Sequence, residues 1–292
     1  MTNKIISMEK FVKFSITIIA FISIVINGHA QDDLYPFEFQ KTGKGSQSII
    51  FIPGFACSGD VWNETRLDYE QDFTCYTLTM AGFAGVAPQP GPTFRKWRTG
   101  IADFIEQNQI DKPIIIGHSM GGGIAMALAA YHPQLISKII VVDALPCLPA
   151  LTKPSFKAIE NKDCSPIISQ MTSFTDEQFY QLQKQSITQL VADTSKHNLV
   201  LNWSVKSDRT TFAQMYCHYS NTDLREVVGA IQCPVLVLLE SYFVNFKPAI
   251  QEQFKHIKEV NLQYATKGLH FIMYDDRDWY KNQLDSFIRK EG

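Results

Sequence analysis

Neither sign of charge dominates this 292-residue chain: 27 Lys and Arg stand against 29 Asp and Glu, a formal net charge of −2. Such a balance gives no electrostatic reason to expect nucleic acid as a partner. No segment repeats and none is of low complexity. No apolar run reaches the ~20 residues that a membrane-spanning helix needs. The six cysteines follow no zinc-binding spacing, and none stands just after the N-terminal apolar run, where a lipoprotein anchor would require one.

That apolar run, Phe14 to Ile26, follows Lys4, Lys10 and Lys13 and precedes Asn27-Gly28-His29-Ala30. A basic segment, a short apolar core and small residues before a cut make a secretory signal, with cleavage expected after Ala30. Residues 1–30 are then a leader and residues 31–292 one exported body, periplasmic or secreted. Losing three Lys and one Glu takes the net charge to −4. No stable membrane insertion is expected once the leader is gone. An exported chain with an even cysteine count can form disulfides. Cys57, Cys75 and Cys233 lie in or beside apolar, strand-like sequence, where a thiol packs as a small hydrophobe. Cys147 and Cys164 share one loop-rich stretch and are the expected bridge, if any forms.

Short β-branched runs recur at Ser48 to Ile52, Thr74 to Met80, Pro113 to Ile116, Lys138 to Val142, Pro234 to Leu239 and Val260 to Tyr264. Helical patterns lie between most of them: Arg95 to Gln109, Gly123 to Tyr131, Lys247 to His256 and Trp279 to Arg289. Alternating strand and helix predicts a mainly parallel sheet flanked by helices, with its central strands buried on both faces. The alternation fails between Cys147 and Gln232, where the sequence reads as helices, among them Thr175 to Val191 and Arg209 to Tyr219. So long an interval is an insertion covering one end of the sheet, and Phe174, Phe179, Tyr180, Leu182, Trp203, Phe212 and Tyr216 suit a lid over an apolar pocket.

Chemistry concentrates where the run Ile114-Ile115-Ile116 ends in Gly117-His118-Ser119-Met120-Gly121 and continues into an apolar helix. A serine at a sharp strand-to-helix turn is held clear of its own backbone, and glycines two residues either side remove the side chains that would collide there. Ser119 is the candidate nucleophile. Oxyanion donors are expected from the Met120 N–H and, after the earlier strand, from the Phe55 N–H of Pro53-Gly54-Phe55. A base is needed. Of the seven histidines, His29 leaves with the leader, His118 lies inside the turn, and His132 precedes a proline. His197 and His218 fall in the helical interval and His256 on a polar helix surface. His270, just after the last strand-like run, is the candidate base, because loops after parallel strands open on one edge of the sheet.

Four segments in order, Phe51 to Phe55, Leu78 to Gly85, Gly117 to Gly122 and Gly268 to Phe271, resemble the α/β-hydrolase family, and the likeness extends over residues 34–290. The resemblance implies an eight-stranded, mainly parallel sheet with a helical cap inserted after the sixth strand, here about residues 147–232. The family often has His-Gly where Pro53-Gly54 stands. It usually carries its acid a few residues past the strand that ends at Leu239, where Ser241 to Asn245 hold no carboxylate. Asp143, a position that some members use, ranks first as the acid, and Glu240 is the alternative; a site without a third member stays open. Asp208 reads as a helix cap.

The expected activity is a serine hydrolase acting through an acyl-enzyme on a small hydrophobic ester, lactone or amide, with no metal or organic cofactor and only a small-molecule partner. Ser119 stands where dehalogenases and epoxide hydrolases of this fold carry Asp. An acyltransferase or perhydrolase would use the same residues, and a catalytically idle binding protein for a small apolar ligand is the reading of another class.

Overall fold

The computed structural model describes residues 34–289; the expected leader and its cleavage site lie outside them. One sheet is built from β1 (Phe37–Thr42), β2 (Ser48–Ile52), β3 (Thr74–Met80), β4 (Ile114–His118), β5 (Lys138–Val142), β6 (Val235–Leu239) and β7 (Val260–Tyr264), in the spatial order β1-β3-β2-β4-β5-β6-β7. Only β1 is antiparallel to its neighbour. The sheet among the described residues therefore has seven strands and not the eight expected, and its cap follows the fifth strand, not the sixth. The difference lies at the entry: only Leu34, Tyr35 and Pro36 precede β1 among the described residues, so one edge strand leads directly into the parallel sheet. β1 carries a period-2 signal, Phe37 and Phe39 inward with Glu38 exposed, and is a strand beyond the six β-branched runs.

Strands β2, β4 and β6 are buried at every residue. Their alternation divides the apolar side chains between two cores. Ile50, Ile52, Ile115, Val141 and Val237 face one; Ile49, Phe51, Ile116, Val142 and Leu238 face the other. That is why no polar residue alternates along these runs. Each such side chain contributes about 1.5–3 kcal/mol on burial. The first core is closed by α2 (Phe94–Gln107) and α3 (Met120–Tyr131), and the second by α1 (Asn63–Tyr69), which precedes them in the chain. Trp97, Ile101, Phe104 and Ile105 supply the α2 face.

The insertion folds as α4 (Ser165–Ser173), α5 (Asp176–Leu190), α6 (His197–Val205) and α7 (Arg209–Ser220), with α4 packed on α7 and α5 on α6. Thr175 and Gln178 form a reciprocal capping box at the start of α5, and the Asp208 carboxylate accepts the Thr211 N–H at the start of α7. Helices α4 and α6 are additional to those expected. The chain then returns through α8 (Lys247–Phe254), α9 (Ile272–Asp275) and α10 (Arg277–Ile288).

The disulfide joins Cys164 to Cys217, not to Cys147. Cys164 opens α4 and Cys217 lies on α7, so the packing of those two helices decides the pairing. Cys147 is a buried free thiol whose backbone N–H is held by the Gln253 side chain.

Candidate active site

At Ser119 the backbone turns through φ +52° and ψ −120° between β4 and α3, a region that non-glycine residues rarely occupy. A Cβ on Gly117 would lie 2.2 Å from the Gly121 carbonyl oxygen, and one on Gly121 would lie 2.4 Å from that of Ile52. Both glycines are therefore required by close backbone approach. The Ser119 N–H donates to the Val142 carbonyl at 2.8 Å, which ties the turn to the end of β5.

Because β2, β4, β5, β6 and β7 run parallel, the loops that follow them share one edge. Asp143 ends β5, also with a positive φ of +52°, and its N–H donates to the Leu238 carbonyl. His270 follows β7. Its Nδ1 lies 2.5 Å from Asp143 Oδ2, while Asp143 Oδ1 accepts the Glu240 N–H at 2.7 Å. Of the two candidate carboxylates, Asp143 thus contacts the histidine, and Glu240 reaches the pair through its backbone. Since a carboxylate only accepts, the His270 Nδ1 carries the proton and Nε2 presents a lone pair. Burial pushes the imidazole pKa down, but the hydrogen bond and charge of Asp143, with the charge of Glu240, outweigh it and leave His270 above its ordinary value.

Ser119 and His270 line one cavity of about 220 Å³. No hydrogen bond joins them in the described structure; in unliganded sites this bond is commonly long and tightens with substrate. Phe55 lines the same cavity. Neither its N–H nor that of Met120, the first residue of α3, donates to another acceptor among the described residues. Gly54 makes this loop's approach possible, since a Cβ there would stand 2.6 Å from His118 Nδ1 and 3.3 Å from the Ser119 Cβ.

His118 is a site residue whose role no sequence pattern signals. It is 1% exposed, and its Nε2–H donates to the His270 carbonyl at 3.0 Å. Its ring lies 4.7 Å from those of both His270 and Phe271. Burial holds its pKa well below the usual histidine value, so it stays neutral. The contact crosses 152 positions, which no local pattern reveals. Cys57 also lines the cavity, but burial pushes its thiol pKa up to about 12 and leaves it a poor nucleophile. Asp275 accepts the N–H groups of Ala192, Asp193 and Leu269, pinning the end of α5's loop to the His270 loop.

Of the seven residues expected in the lid, Tyr216 lines the cavity. Phe179, Trp203 and Phe212 are buried in packing, Phe174 is half-buried against the cluster of Phe179 and Phe212, and Tyr180 and Leu182 are exposed. The cavity wall comes instead from Gln183, Ser186, Ile187 and Leu190, spaced along one face of α5. Among the described residues no three His, Cys, Asp or Glu side chains converge as a metal ion would require.

A family model described as the alpha/beta hydrolase fold matches residues 47–239. The chain belongs to this family. Among curated relatives, the pimeloyl-[acyl-carrier protein] methyl ester esterase of Aliivibrio fischeri is 27% identical over 206 residues, covering 68% of this chain and 75% of that one. An uncharacterized Mycobacterium tuberculosis protein is 30% identical over 111 residues, or 38% of this α/β-hydrolase and 32% of the relative. The chain spans about a third of the length of the first curated relatives it matches. Solved structures extend the likeness over the whole fold. The enol-lactonase from Burkholderia xenovorans LB400 superposes with a TM-score of 0.72 at 15% identity, covering 87% of this chain and 96% of that one. An esterase from Exiguobacterium antarcticum gives 0.72 at 17% identity, with coverage of 87% and 96%. At such identities the likeness concerns the fold.

Proposed function

We propose that this α/β-hydrolase is an exported serine hydrolase that cleaves a small, mainly hydrophobic carboxylic ester, lactone or amide through an acyl-enzyme. The bond from His270 Nδ1 to Asp143 Oδ2 carries this reading, because it aims an unprotonated Nε2 into the cavity that Ser119 lines. Ser119 Oγ attacks the carbonyl carbon while His270 Nε2 takes its proton. The carbonyl oxygen becomes an oxyanion facing the N–H groups of Phe55 and Met120. Collapse returns the proton to the leaving alcohol or amine, and a water molecule repeats the sequence to release the acid. A different acceptor at that second step would make the chain an acyltransferase or perhydrolase.

The esterase and lactonase names of its relatives and neighbours favour ester chemistry. The reading as an idle binding protein rested on the missing carboxylate after β6, and the Asp143 contact weighs against it. A fluorophosphonate probe tests the proposal: wild-type protein is labelled and hydrolyses p-nitrophenyl butyrate, whereas Ser119→Ala does neither. A folded wild-type protein that resists the probe would sink it. Export is tested by N-terminal sequencing of the mature chain, which is expected to begin at Gln31.

A further inference from the structure

A second cavity, of about 290 Å³, opens from the same nucleophile. It shares Ser119, Leu148, Leu190, Tyr219 and His270 with the first and continues past Phe243 to Glu240. The first is mainly apolar, its polar groups beyond the reacting ones being uncharged; the second has the Asp143 and Glu240 carboxylates in its wall.

Glu240 has no evident structural use. It precedes the short turn Ser241–Phe246, yet its side chain does not cap it. Its backbone N–H binds Asp143, while its carboxylate is half-buried and has neither a hydrogen-bond donor nor a paired cation among the described residues. Burial and the Asp143 charge push its pKa up to about 7, with Asp275 adding to the rise and His270 opposing it. Asp143 is already committed to His270 and to the Glu240 N–H. The field in this lobe is therefore negative, and the one carboxylate free to meet a ligand is Glu240. Leaving such a group unpaired costs free energy that a ligand donor would offset.

We propose that Glu240 is a specificity residue, and that its lobe receives the half of the substrate opposite the apolar chain and selects a protonated amine there over an uncharged group. This rests on Ser119 being the nucleophile, since the lobe is defined by opening at it. The favoured substrate is an ester or amide with an apolar segment on one side of the scissile carbonyl and an ammonium-bearing segment on the other. An ammonium supplies charge and donors together. An anionic group in the same place would face Glu240 and Asp143.

Two matched pairs of esters test this and show which half enters the lobe. 5-Aminopentyl butyrate is compared with hexyl butyrate, and methyl 6-aminohexanoate with methyl heptanoate, at about pH 8, where the carboxyl is ionised and the amine protonated. The wild-type protein is expected to prefer the ammonium member of one pair by about tenfold in kcat/KM, and Glu240→Gln is expected to bring that ratio near unity. No preference in either pair overturns the proposal without any variant, and so does a preference that Glu240→Gln retains. If none of the four esters is hydrolysed, the fluorophosphonate probe decides the serine-hydrolase reading separately. Calorimetry then decides on the lobe alone: 5-amino-1-pentanol binding more tightly than 1-hexanol, and losing that advantage in Glu240→Gln, supports it, and equal binding overturns it.

Discussion

Ser119 and Asp143 both hold positive φ values, +52° each, at the ends of neighbouring parallel strands. Two such residues store roughly 1–3 kcal/mol apiece, and the sheet overrides that strain by fixing their N–H groups on Val142 and Leu238. The environment of Asp143 makes a sharp prediction. Its Oδ1 accepts from the Glu240 N–H, so in Asp143→Asn the amide oxygen stays there and the NH2 faces His270. The imidazole is then protonated at Nε2, the wrong nitrogen for taking the Ser119 proton, and kcat is expected to fall by about 10³–10⁴-fold. Full activity in that variant would remove Asp143 from the mechanism. pH adds a second readout. In the proposed mechanism the rate requires neutral His270, whose pKa is raised, so kcat/KM is expected to climb with pH through a limb above the ordinary histidine value. Residual activity of Asp143→Asn is expected to show that limb moved to lower pH. For stability the sign is opposite: a raised folded pKa stabilises the fold fully below the unfolded value, and that contribution is lost as pH rises through the folded one.

Between elements, two close packings are open to test. The turn from β4 into α3 leaves no room at Gly121, where a Cβ would meet the Ile52 and Pro53 carbonyl oxygens at 2.4 and 2.5 Å. Gly121→Ala is therefore expected to cost at least about 2 kcal/mol, read as a lower denaturant midpoint; an unchanged midpoint would contradict this geometry. In the cap, the bridge from Cys164 to Cys217 closes a separation of 53 residues, for which loop-closure entropy allows about 4 kcal/mol at most. Cys217→Ser is expected to lower the unfolding temperature of the oxidised protein, and reductant is expected to have little further effect on the variant. Peptide mapping that found Cys147 bridged to Cys164 would disprove the pairing. Gly117 was legible in the sequence because its reason is local, the Gly121 carbonyl four residues on, whereas Gly121 fell into the same pattern although what it approaches is the distant end of β2. The bridge was not legible, since α4 meets α7 across an intervening helix pair and proximity along the chain misled.

Across the whole molecule, the body supplies Ser119 and His270, and the cap closes the apolar cavity over them with one face of α5 and with Tyr216 and Tyr219. At about 220 Å³ this space suits a short chain. In a p-nitrophenyl ester series, kcat/KM is expected to peak at roughly four to six acyl carbons and to fall at least about tenfold by roughly twelve. Rates still rising at twelve carbons would show that the cap does not limit the chain.

Local pattern alone determined the strand-to-helix turn at Ser119, the buried parallel strands and the α/β class, because each follows from the sterics and hydrophobic period of neighbouring residues. Period 2 in β1 is equally local. Which carboxylate meets His270, which histidine holds its carbonyl, which cysteines pair and which cap residues face the cavity were decided only by the tertiary structure. These contacts join positions up to 152 apart, and they depend on strand order and helix packing, which no sequence window contains.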